Sequence, residues 1–382
     1  MKAKNIAKAV LAGAMALSMT FTAFAANDPQ PENEHIEITL DEAVDLALAH
    51  SSSISNLEDT LDTLEKSRDA LYDAHYTWAM YQGTGVVADE YLNFLNAFVE
   101  LDTNISNIPK YEKLTEEGLR YGLMTIAVYI NEMEAGIAMQ EENLAIAREQ
   151  NIIDQTRYRL GLISKNELME LNTQYESAKY TLEELKLSND ALYLSLYKTM
   201  GTGYNKKYKI KLESELVPIE VTEKTLDNAI TRELSEDVYL KILKNSVDAA
   251  EFNKNVFSSQ GASYDTRKKN LNAANRSYKD GKAAVESAAR ESYNNILKYE
   301  QKQEILLKEM ELAQTTYKTM EVNRQVGYVT DLQLRQAHMA LDAAQNNIDT
   351  NVYSHMLEKF IFEHPYVKAV TASGGQTGQQ AS

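Results

Sequence analysis

The stretch RYRLGLIS at residues 157–164 decides the fold, because the chain repeats it in related form as NRQVGYVT at residues 323–330. Each copy lies between two long stretches of heptad-patterned apolar residues, and each has a glycine at its centre, Gly161 and Gly327. Glycine tolerates the left-handed backbone with which helices often end. Each copy therefore predicts the bend of a helical hairpin, and the pair predicts a duplicated structure.

A second echo lies upstream of each hairpin, where TLDEAV at residues 39–44 recurs as TLDNAI at residues 225–230. Thr39 and Glu42 have the spacing of a capping box, which predicts a helix that starts there and continues to about Trp78. The first half is about 20 residues longer between its two landmarks, since 161 − 39 exceeds 327 − 225 by that amount. We place most of this surplus at 81–122 and predict that this region is helical with a loop between Ile105 and Gly118.

The arms of the hairpins show a coiled-coil pattern. We predict one helix from about Leu123 to Leu160, followed by an arm with apolar steps of three and four residues. These seam positions are Leu168, Leu171, Tyr175, Ala178, Leu182, Leu185, Asn189, Leu192 and Leu196. The first five are matched in the second half by Leu334, Ala337, Leu341, Ala344 and Ile348. The fold class predicted is therefore all-α dominated, with two tandem repeats of long antiparallel hairpins and few or no β-strands.

Segment boundaries follow from these landmarks and from composition. Lys2, Lys4 and Lys8, an apolar run and the small-residue end AFA predict an exported chain with a cleaved signal peptide. Tyr208, Ile210 and Leu212 alternate like one short strand. The predicted segments are a signal peptide (1–25), a polar leader (26–38), the first hairpin repeat (39–201), a linker (202–221), the second hairpin repeat (222–366) and a disordered tail (367–382).

Charge and composition exclude several classes of function. The formal net charge is −17, and it becomes −20 once the three lysines of the signal peptide are removed, so the surface repels nucleic acid. The chain has no Cys, and its six His are scattered without metal-ligand spacing. No phosphate-binding loop or nucleophile elbow is recognisable. We therefore predict that the protein is not an enzyme and has no cofactor and no metal.

These motifs resemble the TolC-type outer-membrane efflux protein family. The family pattern Thr-Leu-x-x-Ala-x-x-x-Ala-Leu is matched at residues 39–48, and its basic-x-x-x-Gly tip is matched by Arg157 and Gly161. In the second copy Asn323 replaces the basic residue, with Arg324 beside it. The resemblance covers about residues 38–363. It implies a homotrimer in which each protomer supplies two hairpins to one tube.

The resemblance also implies a membrane β-barrel, with two strands from each half at about 80–122 and 252–285. Membrane strands need roughly 9–11 residues of apolar and polar alternation, and neither region shows it. We therefore expect a divergent member in which the barrel is reduced or absent. The stretch 252–300 is predicted to be mainly helical, interrupted near Gly261.

Site residues follow from the same resemblance. It implies that the hairpin tips bind an adaptor, through Arg157, Gly161, Leu162, Ser164, Gly327, Tyr328 and Thr330. The family often narrows its entrance with acidic residues six and nine positions after the second tip glycine, where this chain has Gln333 and Gln336. Our hypothesis is that Glu167, Glu170 and Asp331 form a charged constriction instead. The alternative is that these three carboxylates lie on a solvated face.

Two functions remain open. The first is an exit-duct subunit of an efflux or secretion system, which docks on a periplasmic or extracytoplasmic adaptor (a membrane fusion protein) and its inner-membrane pump and passively conducts exported solutes. The alternative is an exported coiled-coil envelope interaction protein that has lost the membrane barrel and does not conduct. Both place the chain in the cell envelope, with membrane association at the outer membrane where the cell has one. An adaptor is disfavoured, because adaptors have β-rich modules around a single hairpin.

Overall fold

The computed structural model describes residues 35–82, 88–204, 207–256 and 262–369. The predicted signal peptide, most of the predicted leader and residues 370–382 lie outside these ranges. In chain order the elements are β1 (His35–Ile38), α1 (Leu40–Ala49), α2 (Ser52–Gln82), α3 (Ala88–Arg159), α4 (Lys165–Met200), β2 (Lys207–Ile210), α5 (Leu226–Glu236), α6 (Val238–Asn255), α7 (Tyr264–Gln325) and α8 (Asp331–Glu363). The predicted fold class is confirmed.

Two long antiparallel hairpins dominate the molecule. Helices α3 and α4 join at Gly161 with φ 71°, and α7 and α8 join at Gly327 with φ 84°. Both turns close in the same way: the amide of Leu162 donates to the carbonyl of Arg157, and the amide of Tyr328 donates to that of Asn323, each at 2.9 Å. This six-to-one bond is the Schellman ending of a helix. The predicted bends, and with them the duplication, are confirmed.

The arms of the hairpins pack as the apolar pattern predicted. All nine predicted seam residues of α4, from Leu168 to Leu196, are buried or half-buried against α3. Helix α8 packs on both α7 and α3, so the four long helices are ordered α4, α3, α8, α7 with alternating direction. Helices α4 and α7 are therefore the outer members of this layer.

Shorter helices close the end of the layer opposite the tips. Ala43, Val44 and Ala47 of α1 pack against Leu123 of α3 and Leu196 of α4, all of them buried. The capping box predicted for α1 is present, since the Thr39 hydroxyl accepts from the amide of Glu42 at 3.2 Å. Helix α6 packs on α3 and α7 and so joins the two halves. Complete burial of a leucine contributes roughly 1.5–3 kcal/mol, so this end is the stable core.

Helix α3 corrects two predictions about the first half. It begins at Ala88 rather than near Leu123, and it continues without a loop through Pro109, so the loop predicted between Ile105 and Gly118 is wrong. A proline inside a helix costs roughly 3 kcal/mol. Ile108 is buried beside it, and Asn245 of α6 donates to Asn107 Oδ1 at 2.7 Å. Packing of α3 on α6 next to the proline helps to offset this cost.

The helix predicted from Thr39 to about Trp78 is in fact two helices. Helix α1 ends at Ala49, and α2 starts at Ser52. Ser51 Oγ accepts a hydrogen bond from the amide of Ile54 at 3.4 Å and so caps the start of α2. The break at His50 also lies against Gly201, where any Cβ would come within 2.2 Å of the His50 Cβ. The break between α1 and α2 therefore lies beside the C-terminal end of α4.

The predicted short strand is present and has a partner. Strand β2 pairs in parallel with β1, with Ile36 opposite Tyr208 and Ile38 opposite Ile210. Strand β1 lies in the segment predicted as a polar leader, where no strand was expected. Residues 35–38 at the end of the predicted leader are therefore hydrogen-bonded to residues 207–210 of the predicted linker.

The C-terminal boundary of the second repeat lies later than predicted. Val367 and Ala369, placed in the disordered tail, are buried with Tyr366 against a cluster that includes Met124 of α3 and Phe360 of α8. The prediction was based on the polar composition of the tail as a whole, whereas these two apolar residues are buried. The packed chain extends at least to residue 369.

The regions where the resemblance implied strands are helical over their described residues. Helix α3 covers 88–122, and α6 and α7 cover 252–255 and 264–285. The expectation that 252–300 is mainly helical is confirmed for the part of the chain that the structure describes, whereas Gly261, where the interruption was predicted, lies outside the described residues. Within that part, no helix has the length and apolar character needed to cross a bilayer.

Candidate docking surface at the hairpin tips

The first tip exposes apolar side chains outside a closed turn. Leu162 is 67% exposed, and Leu160 before the glycine is 68% exposed, whereas Ile163 is buried. Ser164 caps α4, because its Oγ accepts from the amide of Glu167 at 3.1 Å. The turn is thus held by its backbone, by Ile163 and by the Ser164 cap. Leu162 contributes no buried contact of its own.

The second tip has the same arrangement with different residues. Tyr328 is 85% exposed and Val326 is 61% exposed. Thr330 forms a capping box with Gln333 at the start of α8, with the Thr330 amide donating to Gln333 Oε1 at 2.9 Å. Gly161 and Gly327 both have open space where a Cβ would stand. The glycines are therefore needed for their backbone conformation rather than for room.

The Arg157 side chain is 44% exposed and pairs with a buried carboxylate. Its Nη1 donates to Asp154 Oδ1 at 3.1 Å, and Gln150 Nε2 donates to the same carboxylate at 3.1 and 3.2 Å. Asp154 is 1% exposed. A buried carboxylate needs such partners, since an unpaired charge in the interior is costly. Asp154 was not singled out from sequence, although its position three residues before Arg157 on a helix was the available signal.

The three constriction candidates have different surroundings. Asp331 pairs with Arg324, whose Nη2 donates to Asp331 Oδ2 at 2.9 Å, and this hydrogen bond lowers the pKa of the Asp331 carboxyl. Glu167 and Glu170 are exposed on the first turns of α4, and neither makes an ion pair with a described residue. Within one chain no bond joins Asp331 to either glutamate. A charged constriction from these residues stays a prediction about an assembly.

An ion-pair network behind the tips joins the two hairpins. Arg335 of α8 donates from Nε to Glu142 Oε1 at 2.7 Å and from Nη1 to Glu149 Oε1 at 2.6 Å, and both glutamates are on α3. Asn346 of α8 also lies 3.8 Å from the Met139 sulfur of α3. Sequence reasoning missed Arg335, because its partners are 186 and 193 residues away along the chain.

Polar groups away from the tips connect helices and strands. No group of three or more His, Cys, Asp or Glu side chains there is arranged to hold a metal ion. Glu134 of α3 accepts from the Tyr193 hydroxyl at 2.6 Å and from Lys209 Nζ at 2.7 Å, which joins α3 to α4 and β2. These buried and half-buried polar groups hold elements together. Leu162 and Tyr328 at the tips are among the exposed large apolar side chains of the described residues.

Comparison with known proteins finds similarity in structure alone. No protein-family model matches the chain, and no curated protein matches it. The Campylobacter jejuni CmeC outer membrane channel matches with a TM-score of 0.62 and 11% identity, covering 94% of this chain and 95% of that one. The Vibrio cholerae outer membrane protein VceC matches with a TM-score of 0.59 and 10% identity, over 87% and 96%. The open state of the Neisseria gonorrhoeae MtrE outer membrane channel matches with a TM-score of 0.54 and 11% identity, over 92% and 98%. The chain therefore has the TolC-like fold of these outer-membrane channel proteins, as the resemblance of its sequence implied.

Proposed function

We propose that the protein is the exit-duct subunit of an efflux or secretion system. Three copies form a helical tube in the cell envelope, their hairpin tips dock on an adaptor that is joined to an inner-membrane pump, and the tube passively conducts exported solutes. The observation that carries the proposal is the pair of exposed apolar side chains, Leu162 and Tyr328, at the two related turns. Removing such side chains from water upon docking is favourable.

The turns are suited to docking because hydrogen bonds already order their backbone in the isolated chain. Each has a Schellman ending, a side-chain cap and a glycine in the left-handed region. A pre-ordered surface loses little conformational entropy upon association. The tips therefore present two apolar anchors at fixed positions, which is the geometry expected of a contact made by helical hairpins.

Photo-crosslinking in the native envelope tests the docking. A photoreactive residue placed at Leu162 or Tyr328 should give an adduct with an adaptor protein of the same cell, identified by mass spectrometry. The matched control is Tyr72 of α2, which is 57% exposed and distant in sequence from both tips. Adducts of equal yield from all three positions, or from none, would contradict docking through the tips.

The second candidate is an exported coiled-coil envelope protein that does not conduct. The helices that occupy the described residues of 80–122 and 252–285 favour it, because the resemblance implied membrane strands there. Fractionation of the native envelope discriminates the two candidates. A duct remains with the membrane through carbonate and high-salt washes, whereas an interaction protein held only by its partners is released.

A further inference from the structure

Three titratable side chains from separate parts of the chain meet beside the C-terminal end of α8. Glu117 of α3 and Asp237 at the start of α6 are each 6% exposed, and the half-buried His364 follows the last residue of α8. His364 Nδ1 lies 3.2 Å from Glu117 Oε2, and Glu117 is close enough to Asp237 for its charge to act on that carboxyl. We call these three residues the carboxyl–histidine cluster.

Two carboxyl oxygens of this cluster have no hydrogen bond among the described residues. Asp237 Oδ1 accepts from the Leu240 amide at 2.8 Å, whereas Asp237 Oδ2 is buried without a donor. Glu117 Oε2 is also buried, and His364 lies within ion-pair distance of it without the alignment of a hydrogen bond. A buried carboxylate without donors is costly, and two such charges close together repel each other. A proton on one carboxyl removes this repulsion.

The groups that face the two carboxyls do not replace that proton. Lys113 Nζ of α3 lies 3.7 Å from Glu117 Oε1, but the Lys113 side chain is 58% exposed. Lys241 of α6 has the weakest of the influences on the pKa of Asp237. Burial, and then Asp237, raise the pKa of the nearby Tyr239 hydroxyl, which therefore stays uncharged. Burial above all, with the Glu117 charge in addition, raises the pKa of Asp237 to about 6.

The cluster lies against the last described segment of the chain, residues 364–369. Tyr366 and Ala369 are 4% and 5% exposed, and they belong to the same buried cluster as Leu240, three residues after Asp237. The segment forms a single helical turn, in which the Ala369 amide donates to the carbonyl of residue 365 at 3.3 Å. So short a helix depends on its tertiary contacts rather than on its own hydrogen bonds. A weakened contact with α3 or α6 should therefore open it locally.

We propose that Glu117, Asp237 and His364 form a pH-sensitive latch, which holds residues 364–369 on α3 and α6 in acid and loosens them near neutrality. In acid, Asp237 carries a proton beside the Glu117 carboxylate, and a protonated His364 pairs with that carboxylate. Near neutrality the two buried carboxylates repel each other, and a neutral imidazole supplies no opposing charge. Lys368 pairs with Glu291 of α7 at 2.8 Å, so one contact of the segment lies outside the latch.

The direction of the effect follows from the proton that Asp237 binds. The ordinary pKa of this carboxyl is 3.8, so a chain whose latch is open binds the proton less tightly than a chain whose latch is closed. The stabilisation of the closed latch is fully present below pH 3.8 and is lost as the pH rises through about 6. Above that range it changes no further. The latch is a property of the single chain, so it does not depend on whether an assembly conducts.

Hydrogen exchange of the full-length mature chain tests the latch. Protection of peptides that cover residues 364–369 is measured at pH 4.5 and 6.5, with each rate corrected for the intrinsic pH dependence of amide exchange. We expect protection in the parent chain to fall by roughly tenfold or more between these pH values. In Asp237→Asn it should fall by less than about threefold, because an amide does not titrate in this range. Asp248→Asn is the matched control, since Asp248 is an exposed carboxylate of α6 that pairs with Lys244, and it should behave like the parent.

Glu117→Gln provides a second readout, because it removes the neighbouring charge and leaves Asp237 buried. We expect the fall in protection to occur at lower pH than in the parent chain. Equal protection of the parent at both pH values would overturn the proposal, and so would an equal fall in Asp237→Asn. A fall of the same size in peptides that contain the buried Ala43 and Ala47 of α1 would overturn a local latch, because the whole end of the molecule would then open. Should a variant fail to fold, the parent alone decides: the midpoint of its fall must lie between pH 3.8 and about 6.

Discussion

Arg335 of α8 donates hydrogen bonds to Glu142 and Glu149 of α3, at 2.7 and 2.6 Å, and so joins the two hairpins behind their tips. The three side chains are partly exposed, between 31% and 57%. Ion pairs of this kind contribute roughly 0–1 kcal/mol. Their effect is therefore local: they help to fix the spacing between the two arms near the tips.

We expect Arg335→Gln to speed hydrogen exchange in the tip-proximal turns of α8 and α3, with global stability lowered by no more than about 1 kcal/mol. The difference from the parent chain should shrink in high salt, because exposed pairs are screened. Arg232→Gln is the matched control, since Arg232 pairs with its neighbour Glu233 in one helix. Equal exchange in the parent and Arg335→Gln chains would show that the pair does not join the hairpins.

The tip glycines should be costly to replace in spite of the open space around them. Gly161→Ala or Gly327→Ala places a side chain in the left-handed region, at a cost of roughly 1–2 kcal/mol each. Gly136→Ala is the control, because Gly136 lies inside α3 with nothing within 4 Å of a Cβ. That substitution should stabilise the chain by roughly 0.5–1 kcal/mol. Urea unfolding measures all three, and the same sign at all three positions would contradict the assigned turns.

Arg157 and Asp154 should behave as one unit in unfolding experiments. Arg157→Met leaves the buried Asp154 carboxylate with Gln150 as its remaining partner, and we expect a loss of roughly 1–3 kcal/mol. Adding Asp154→Asn to that variant should recover part of the loss, because a neutral amide is cheaper to bury. A double-mutant cycle measures the coupling. Additive effects would mean that Arg157 is free to serve a partner directly.

Asp237 should make stability depend on pH. It caps α6, is 6% exposed and lies near the buried Glu117; burial, more than any other cause, raises its pKa to about 6. The ordinary value is 3.8, so the folded chain binds a proton more tightly than the unfolded chain. The resulting stability is fully present below pH 3.8 and is lost as the pH rises through about 6.

Asp237→Asn should flatten this dependence, because an amide does not titrate in this range. The substitution should keep the cap, because the amide oxygen can still accept the Leu240 N–H that Asp237 Oδ1 accepts at 2.8 Å. Urea midpoints at several pH values between 4 and 7 measure the change. Lys113, His364 and Lys241 face the same two carboxylates and are left unchanged. An identical slope in both chains would show that Asp237 does not carry the effect.

The features predicted correctly from sequence are those that depend on residues close to one another along the chain. The hairpin bends at Gly161 and Gly327 and the seam from Leu168 to Leu196 depend on residues within one or two helical turns. The uninterrupted helix through Pro109 packs on α6, whose Asn245 is 138 residues from Asn107 in sequence, and local propensity predicted a loop instead. Strand β1 was missed because the last four residues of the predicted polar leader show no strand pattern on their own and become a strand by pairing with β2.

At the candidate site, sequence placed the tips but not their internal partners. The exposure of Leu162 and Tyr328 agrees with their selection as docking residues, whereas Arg157 faces Asp154 and Asp331 faces Arg324. The pair of Arg157 and Asp154 has the three-residue spacing of helix neighbours, whereas the pair of Arg324 and Asp331 crosses the turn and depends on side-chain directions there. The docking role of all seven tip residues and the constriction of Glu167, Glu170 and Asp331 stay predictions.

The central claim is that the assembled chain conducts, and single-channel recording tests it most directly. Protein purified as an oligomer from native envelope is added to a planar lipid bilayer, and current is measured in monovalent salt. We expect discrete conductance steps that divalent cations reduce, with less reduction after Glu167→Gln, Glu170→Gln and Asp331→Asn, because a ring of carboxylates attracts cations. Conductance steps that change neither with divalent cations nor with the three substitutions would contradict the charged constriction but not the duct. A stable oligomer that docks on its adaptor and gives no conductance would contradict the duct and leave an interaction protein.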